Sequence, residues 1–292
     1  MPEGYSVSGV SCVNHTPGGT AVDFLPSESG FSLALTEGDI GNGDTTAGQS
    51  DVTCTVTNTQ GGSLTIIKDA FPNSDQVFSF TGDMGAFDLD DDGNGGLPSS
   101  ATFDGLDADV YSVTETPVAG WTQTSATCDN GDVPSAVTLD AGENVTCTFI
   151  NVQQGIAIVQ KDVLPATDTT EFTFTGDVSG AISGGNTISL VIPVPLGDNA
   201  QVTSTEVVPV GWDLDSIVCD DGDSTGAGET ATFNVAPGET VTCVFTNVKQ
   251  GTIVVEKAAI GGDDEFFFSP GWTDDFSFTT AGGTGSSSFA NL

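Results

Sequence analysis

The chain has 292 residues, of which 41 are Asp or Glu against four Lys and no Arg, a formal charge of −37. That sign argues against nucleic acid, whose phosphates need a basic footprint, and against anionic membrane surfaces. Hydrophobic residues make up 37 % of the chain, so cores can form and the acidity does not mean disorder. No run of about 20 apolar residues offers a membrane span.

In chain order, short runs rich in Val, Ile, Thr and Phe alternate with turns of Gly, Asp, Asn and Pro, the pattern of half-buried strands. After Gly4-Tyr5 comes Cys12, then a long insert, then a strand over 52–58 holding Cys54 and Asn58. Leu64-Thr65-Ile66-Ile67-Lys68-Asp69 opens the next block, followed by Val77-Phe78-Ser79-Phe80-Thr81, the acidic turn 88–94, Tyr111-Ser112-Val113-Thr114-Glu115, Gly120-Trp121, Cys128 and the strand 145–151. The order then repeats: Ala157-Ile158-Val159-Gln160-Lys161-Asp162, Glu171-Phe172-Thr173-Phe174-Thr175, Glu206, Gly211-Trp212, Cys219 and the strand 241–247. Ile253-Val254-Val255-Glu256-Lys257 begins it a third time. No segment shows a useful amphipathic helix.

Lys68 and Lys161 stand 93 positions apart and Lys161 and Lys257 96; Cys54, Cys147 and Cys243 keep the same two intervals. Independent landmarks in one register define a tandem array. The expected domains are two complete repeats, 61–153 and 154–249, preceded by the C-terminal part of a repeat (1–60) and followed by the N-terminal part of another (250–292). Each complete repeat is predicted to be an all-β Ig-like or prealbumin-like Greek-key sandwich. Met1 to Tyr5 align with 117–121 and Phe289 to Leu292 with 103–106. The chain therefore reads as an excerpt cut from a longer array at one repeating phase. The alternative is that the head of one subunit completes the tail of the next.

Six cysteines fall two per repeat, Cys12/Cys54, Cys128/Cys147 and Cys219/Cys243, and His15 is the only histidine, so no zinc pattern is present. One disulfide per repeat, formed in an oxidising compartment, is the expectation; buried free thiols are the alternative. The acidic surface reads as solubilising and self-repelling, suited to a salty exterior, or as selected for a cationic partner.

Residues two apart in a strand share a face. Leu64, Ile66 and Lys68 therefore share one, as do Ala157, Val159 and Lys161, and Ile253, Val255 and Lys257. In the closing strands Val145, Cys147, Phe149 and Asn151 share a face, as do Val241, Cys243, Phe245 and Asn247, and Val52, Cys54, Val56 and Asn58. The face with Cys and Phe is the core face, so a lysine and an asparagine point inward in each domain. An inward lysine without a partner is costly, and three of the four lysines occupy this register. Glu115 shares the face of Tyr111 and Val113, and Glu206 holds the matching position, which supplies an inward carboxylate.

The first-strand Lys, the 111–115 segment with its following Pro and Gly-Trp, and the closing Thr148-Phe149-Ile150-Asn151 resemble the Cna B-type (SpaA-like, prealbumin-fold) domains of bacterial surface proteins and pili. The resemblance runs through essentially the whole chain in repeat phase. It implies a spontaneous isopeptide bond between a first-strand Lys and a last-strand Asn, assisted by an acid: Lys68–Glu115–Asn151 and Lys161–Glu206–Asn247. Lys257 and Asn58 belong to incomplete units without a matching Glu. Burial would push the lysine towards a neutral, nucleophilic amine and the glutamate towards a neutral acid that can polarise the Asn carbonyl. Proximity in a dry core would supply the rest. The alternative is a buried Lys–Glu ion pair hydrogen-bonded to Asn.

Asp88, Asp90 and Asp92 with Gly93 match the start of a calcium loop, although Ser99 stands where Glu is expected and the next repeat lacks the motif; no other cofactor is implied. Asn14-His15-Thr16 and Asn144-Val145-Thr146 are glycosylation sequons. Phe266-Phe267-Phe268 and Trp272 read as core strand residues rather than a sticky patch. With one His and one Cys pair per repeat, no nucleophile–His–acid set and no enzymatic turnover can be argued. The expected function is structural: an extracellular filament, pilus or cell-surface stalk, with copies associating head to tail. The alternative is an adhesin that binds a host or matrix ligand through the insert between Cys12 and Cys54.

Overall fold

The computed structural model describes residues 4–14, 23–27, 30–34 and 52–290. His15 and most of the insert between Cys12 and Cys54 lie outside the described residues. Among the described residues there is no helix. The chain forms two compact bodies, 1–151 and 152–292.

The first body opens with β1 (Tyr5–Asn14), β2 (Asp23–Ser27), β3 (Gly30–Ala34) and β4 (Val52–Gln60); β1 pairs with β4 and β2 with β3, both antiparallel. Then come β5 (Gly62–Phe71), β6 (Phe78–Gly82), β7 (Phe87–Leu89), β8 (Ser100–Leu106), β9 (Asp109–Tyr111), β10 (Val113–Glu115), β11 (Trp121–Cys128), β12 (Val137–Leu139) and β13 (Asn144–Gln153). One sheet runs β11-β13-β5-β8; against it stand β10-β6-β7 and the pair β12-β9.

The second body repeats the plan with β14 (Gly155–Leu164), β15 (Glu171–Gly176), β16 (Gly180–Ser183), β17 (Thr187–Ile192), β18 (Ala200–Val207), β19 (Trp212–Cys219), β20 (Thr225–Ala227), β21 (Thr230–Val235) and β22 (Thr240–Lys249). Its sheets run β17-β14-β22-β19 and β16-β15-β18-β21-β20. A third set follows: β23 (Thr252–Ala258) pairs with β26 (Thr284–Ala290), and β24 (Glu265–Phe268) with β25 (Phe276–Thr279).

The period-2 pattern is carried into burial without a break. Along β5 and β14 every second residue faces the core: Leu64, Ile66, Lys68 and Ala70, and Ala157, Val159, Lys161 and Val163. Phenylalanines of the facing sheet close the sandwich edge to face, Phe80 on Phe149 and Phe174 on Phe245, with ring centroids 5.1 and 5.0 Å apart. Aromatic pairs of this geometry add to the area they bury.

A Greek-key sandwich is built mainly of antiparallel neighbours, and in one place the structure differs. β14 and β22, the first and last strands of the second repeat, run parallel, with Ala157 opposite Val241, Lys161 opposite Phe245 and Val163 opposite Asn247. A parallel pair needs a long crossover, and here the strands from β15 to β21 provide it. Glycine at the start of each first strand permits the close approach. A Cβ on Gly62 would strike the carbonyl of Glu143, and one on Gly155 the side chain of Val235. The neighbouring amides of Ser63 and Ile156 donate to the carbonyls of Glu143 and Glu239, at 2.9 and 2.8 Å.

In the third set, Phe268 stacks on Phe276 and Phe278 while Trp272 meets Phe289 edge to face. Phe267 points the other way and is exposed, so the Phe-Phe-Phe run is split between two faces by strand parity.

Phe174→Ala is expected to destabilise the second body by about 3–5 kcal/mol, seen as a lowered midpoint for one calorimetric transition with the other unmoved.

Candidate functional site: a lysine, glutamate and asparagine cluster inside each repeat

Strand parity places the lysine, and the neighbouring strand places its partner. Lys161 lies opposite Phe245 in the β14–β22 ladder and Asn247 two residues further along, so the two side chains are diagonal neighbours on the core face. The glutamates come from the facing sheet, where Glu115 pairs across from Phe80 and Glu206 across from Phe174. Lys68 and Lys161 are 1 % and 0 % exposed, and Glu115, Glu206, Asn151 and Asn247 are buried with them.

In the first repeat, Lys68 Nζ donates to Asn151 Oδ1 at 3.0 Å, to the Phe149 carbonyl at 3.2 Å and to the Asp69 carbonyl at 2.9 Å. Asn151 Nδ2 in turn donates to Glu115 Oε1 at 2.7 Å. The asparagine amide is thereby held at both ends, its oxygen towards the amine and its nitrogen towards the acid. In the second repeat, Lys161 Nζ donates to Asn247 Oδ1 at 2.7 Å, the Phe245 carbonyl at 2.8 Å and the Asp162 carbonyl at 2.9 Å. Here the acid approaches the lysine directly, with Glu206 Oε1 3.5 Å from Nζ. Asn247 Nδ2 is buried without a hydrogen-bond partner.

An aromatic ring completes each site. Lys68 Nζ lies 4.1 Å from the centroid of Phe78 and Lys161 Nζ 4.5 Å from that of Phe172. The sequence reading treated these phenylalanines as generic strand residues. Their position as the first Phe of the second strand in both repeats was the available signal. The ring seals the amine from water on one side.

Burial pushes the Lys68 ammonium down to about 8, against the opposing pull of Glu115, Asp69 and Asp91. Burial also lowers Lys161, opposed first by Glu206. It raises both Glu115 and Glu206 above the usual carboxylate range, with the facing lysine opposing in each case. Desolvation disfavours both charges, so each pair is shifted towards neutral amine and neutral acid.

The six cysteines form the expected bonds, Cys12–Cys54, Cys128–Cys147 and Cys219–Cys243. Each joins strands already adjacent in a sheet: β1 with β4, β11 with β13, β19 with β22. Lys257 keeps the lysine register and lies 4.5 Å from the Phe266 centroid, while Asn58 is exposed on β4.

The acidic turn is used internally. Asp90 is buried and accepts from the Leu97 amide at 3.3 Å, and Asp91 accepts from the Ala70 amide at 2.9 Å. Asp92 takes both donors of Asn94, backbone and side chain, while Asp88 is exposed on β7. No group of three or more His, Cys, Asp or Glu among the described residues is arranged to hold a metal ion. Asn144 of the second sequon is exposed at the start of β13, its Oδ1 accepting from Ser63 Oγ at 2.7 Å.

These features define a class: tandem all-β sandwiches, each with one disulfide and a buried Lys–Glu–Asn cluster between its sheets. The chain belongs to the SpaA-type prealbumin-like fold domain family, whose pattern matches residues 64–153 and 157–249. No curated protein matches it in sequence. Among solved structures it is similar to the Bacillus anthracis TIE protein, at 14 % identity and a TM-score of 0.33, over 98 % of this chain and 61 % of that one. It is also similar to the major pilin of Streptococcus pyogenes, at 14 % identity and a TM-score of 0.28, over 66 % of this chain and 99 % of the pilin. The shaft pilin SpaA of Lactobacillus rhamnosus GG is 14 % identical with a TM-score of 0.23, over the same two shares.

Removing one partner of a buried charge pair leaves the other uncompensated. Glu206→Ala is therefore expected to cost the second body about 3–5 kcal/mol, read as a lower midpoint in thermal unfolding. The double replacement Lys161→Met, Glu206→Leu removes both buried charges and is expected to unfold at a higher temperature than Glu206→Ala.

Proposed function

We propose that this chain is a stretch of an extracellular filament, pilus or cell-surface stalk, built from repeats 61–153 and 154–249 and their partial neighbours. Each complete repeat closes itself with a Lys–Asn isopeptide bond. The observation that carries this reading is the contact of each buried lysine Nζ with its asparagine Oδ1, at 3.0 and 2.7 Å, beside a raised-pKa glutamate.

In the proposed step the neutral amine of Lys68 or Lys161 attacks Cγ of Asn151 or Asn247. A C–N bond forms and the bond from Cγ to Nδ2 breaks. The glutamic acid, which faces the asparagine nitrogen in the first repeat and the lysine amine in the second, accepts the proton lost by the amine on one oxygen and gives its own to Nδ2, which departs as ammonia. The step occurs once in each domain, so the glutamate returns to its starting state without turnover on any outside substrate.

The mechanical consequence follows from strand direction. The second repeat begins at β14 and ends at β22, and these run parallel, so tension applied to the chain shears one against the other. A bond between Lys161 and Asn247, 86 residues apart, takes that load and bypasses everything between. Cys219–Cys243 lies wholly inside the bypassed segment, as Cys128–Cys147 does between Lys68 and Asn151. The isopeptide bond carries axial force, and the disulfide restrains the unfolded chain by closing a loop. The acidic surface keeps such an array soluble.

Intact-mass measurement on the non-reduced chain is expected to show a deficit of about 34 Da beyond the disulfides, about 17 Da for each ammonia lost. Lys161→Met or Glu206→Gln is expected to halve it, and an unshifted wild-type mass would overturn the reading. Freshly synthesised chain should lose ammonia with a bell-shaped pH dependence. The reactive pair is neutral Lys68, favoured by burial that lowers the amine to about 8, with neutral Glu115, favoured by burial that raises the acid, so loss of either form slows the step. Under tension the wild-type repeats are expected to keep their length with or without reductant. Reduced Asn247→Ala should instead lengthen by roughly 290 Å per molecule.

A further inference from the structure

Three asparagines are followed by glycine, Asn42, Asn94 and Asn130, and the first lies outside the described residues. An Asn-Gly pair is open to attack by its own backbone, because glycine carries no Cβ to shield its amide nitrogen from the preceding side chain. Both described pairs are exposed, and both glycines have positive φ, 79° at Gly95 and 90° at Gly131. Their surroundings differ. Asn130 is pinned at both ends of its amide: Oδ1 accepts from the Asp132 amide at 3.0 Å, and Nδ2 donates to Asp132 Oδ2 and to the Thr138 carbonyl, both at 3.2 Å. The nitrogen that would attack it, Gly131 N, is committed to the Cys128 carbonyl at 3.1 Å. The Asn94 side chain is held by its nitrogen alone, which donates to Asp92 Oδ2 at 2.9 Å. Among the described residues no donor reaches its Oδ1, and the Gly95 amide has no acceptor.

We propose that Asn94 is a site of spontaneous self-modification, at which the backbone nitrogen of Gly95 displaces the asparagine amide nitrogen, and that Asn130 is protected by its hydrogen bonds. Gly95 N loses its proton and attacks Asn94 Cγ. The N–Cγ bond forms, the Cγ–Nδ2 bond breaks, and Nδ2 takes up the proton and leaves as ammonia. Water then opens the resulting five-membered imide at either carbonyl, leaving aspartate or isoaspartate. Asp92 already holds the departing nitrogen, as Glu115 holds that of Asn151. The product replaces that hydrogen bond with two facing carboxylates, and like charges at this separation repel. The turn so loosened is the one that braces β5, through Asp91 Oδ2 on the Ala70 amide, two residues beyond Lys68. This chemistry makes no use of the filament reading and stands without it.

The test ages the full folded chain at mildly alkaline pH, digests it with chymotrypsin, which cuts between the two sites, and follows each site by mass and chromatography. The peptide with Asn94 is expected to gain about 1 Da and to split into aspartate and isoaspartate forms, at least about tenfold faster than the peptide with Asn130. In reduced chain held in strong denaturant the two are expected to react at similar rates, because folded contacts alone separate them. Asn94→Gln, which would have to close a six-membered ring, is expected to abolish the change at that position. The imide carries the same deficit of about 17 Da as a lysine–asparagine bond, so this variant also keeps the two ammonia losses apart: the deficit it retains belongs to the lysines. Four results would overturn the proposal: equal rates in the folded chain, faster reaction at Asn130, an Asn94 that stays unmodified, or a gap between the sites that persists in denaturant.

Discussion

The structure depends on a lysine amine held in a dry core. A charged lysine there is disfavoured by desolvation, and everything around Lys68 and Lys161 answers that cost. Three carbonyl oxygens accept from each Nζ, one of them the asparagine side chain. A phenylalanine ring covers it, and a glutamate from the opposite sheet faces the cluster. The same burial moves the amine and the acid towards their neutral forms.

The two repeats reach this state by different contacts. In the first, Glu115 holds the asparagine nitrogen and the lysine holds its oxygen, so the amide is aligned between them. In the second, Glu206 leans on the lysine and leaves the Asn247 nitrogen free of hydrogen bonds. Both arrangements keep Nζ against Oδ1, because the strand register alone sets that distance. The glutamate position is softer, since it comes from the other sheet and depends on how the sandwich closes.

The disulfides and the lysine–asparagine pairs occupy different places in each repeat. The disulfides join strands that already share a ladder and lie within the segments spanned by the lysine–asparagine pairs. The lysine–asparagine pair links the strand that enters the repeat to the strand that leaves it. In a family of prealbumin-like fold domains, that arrangement suits a chain under tension.

Much of this was legible in the residues. A period of two assigned the inward faces of β5, β14, β13 and β22, and a repeat of 93 to 96 positions showed that three lysines share one register. Inward lysine, glutamate and asparagine followed from parity, because side-chain direction in a strand is a local property. Sequence could not decide which strands become neighbours. The parallel pairing of β14 with β22 and the diagonal offset that brings Lys161 to Asn247 join residues far apart in the chain, and the phenylalanine ring above each amine comes from the facing sheet. Asp90 and Asp92 accept within their own turn, whereas Asp91 reaches back 21 positions to the Ala70 amide. Contacts between distant strands arise only when two sheets pack and the chain crosses between them, and no local pattern encodes that step.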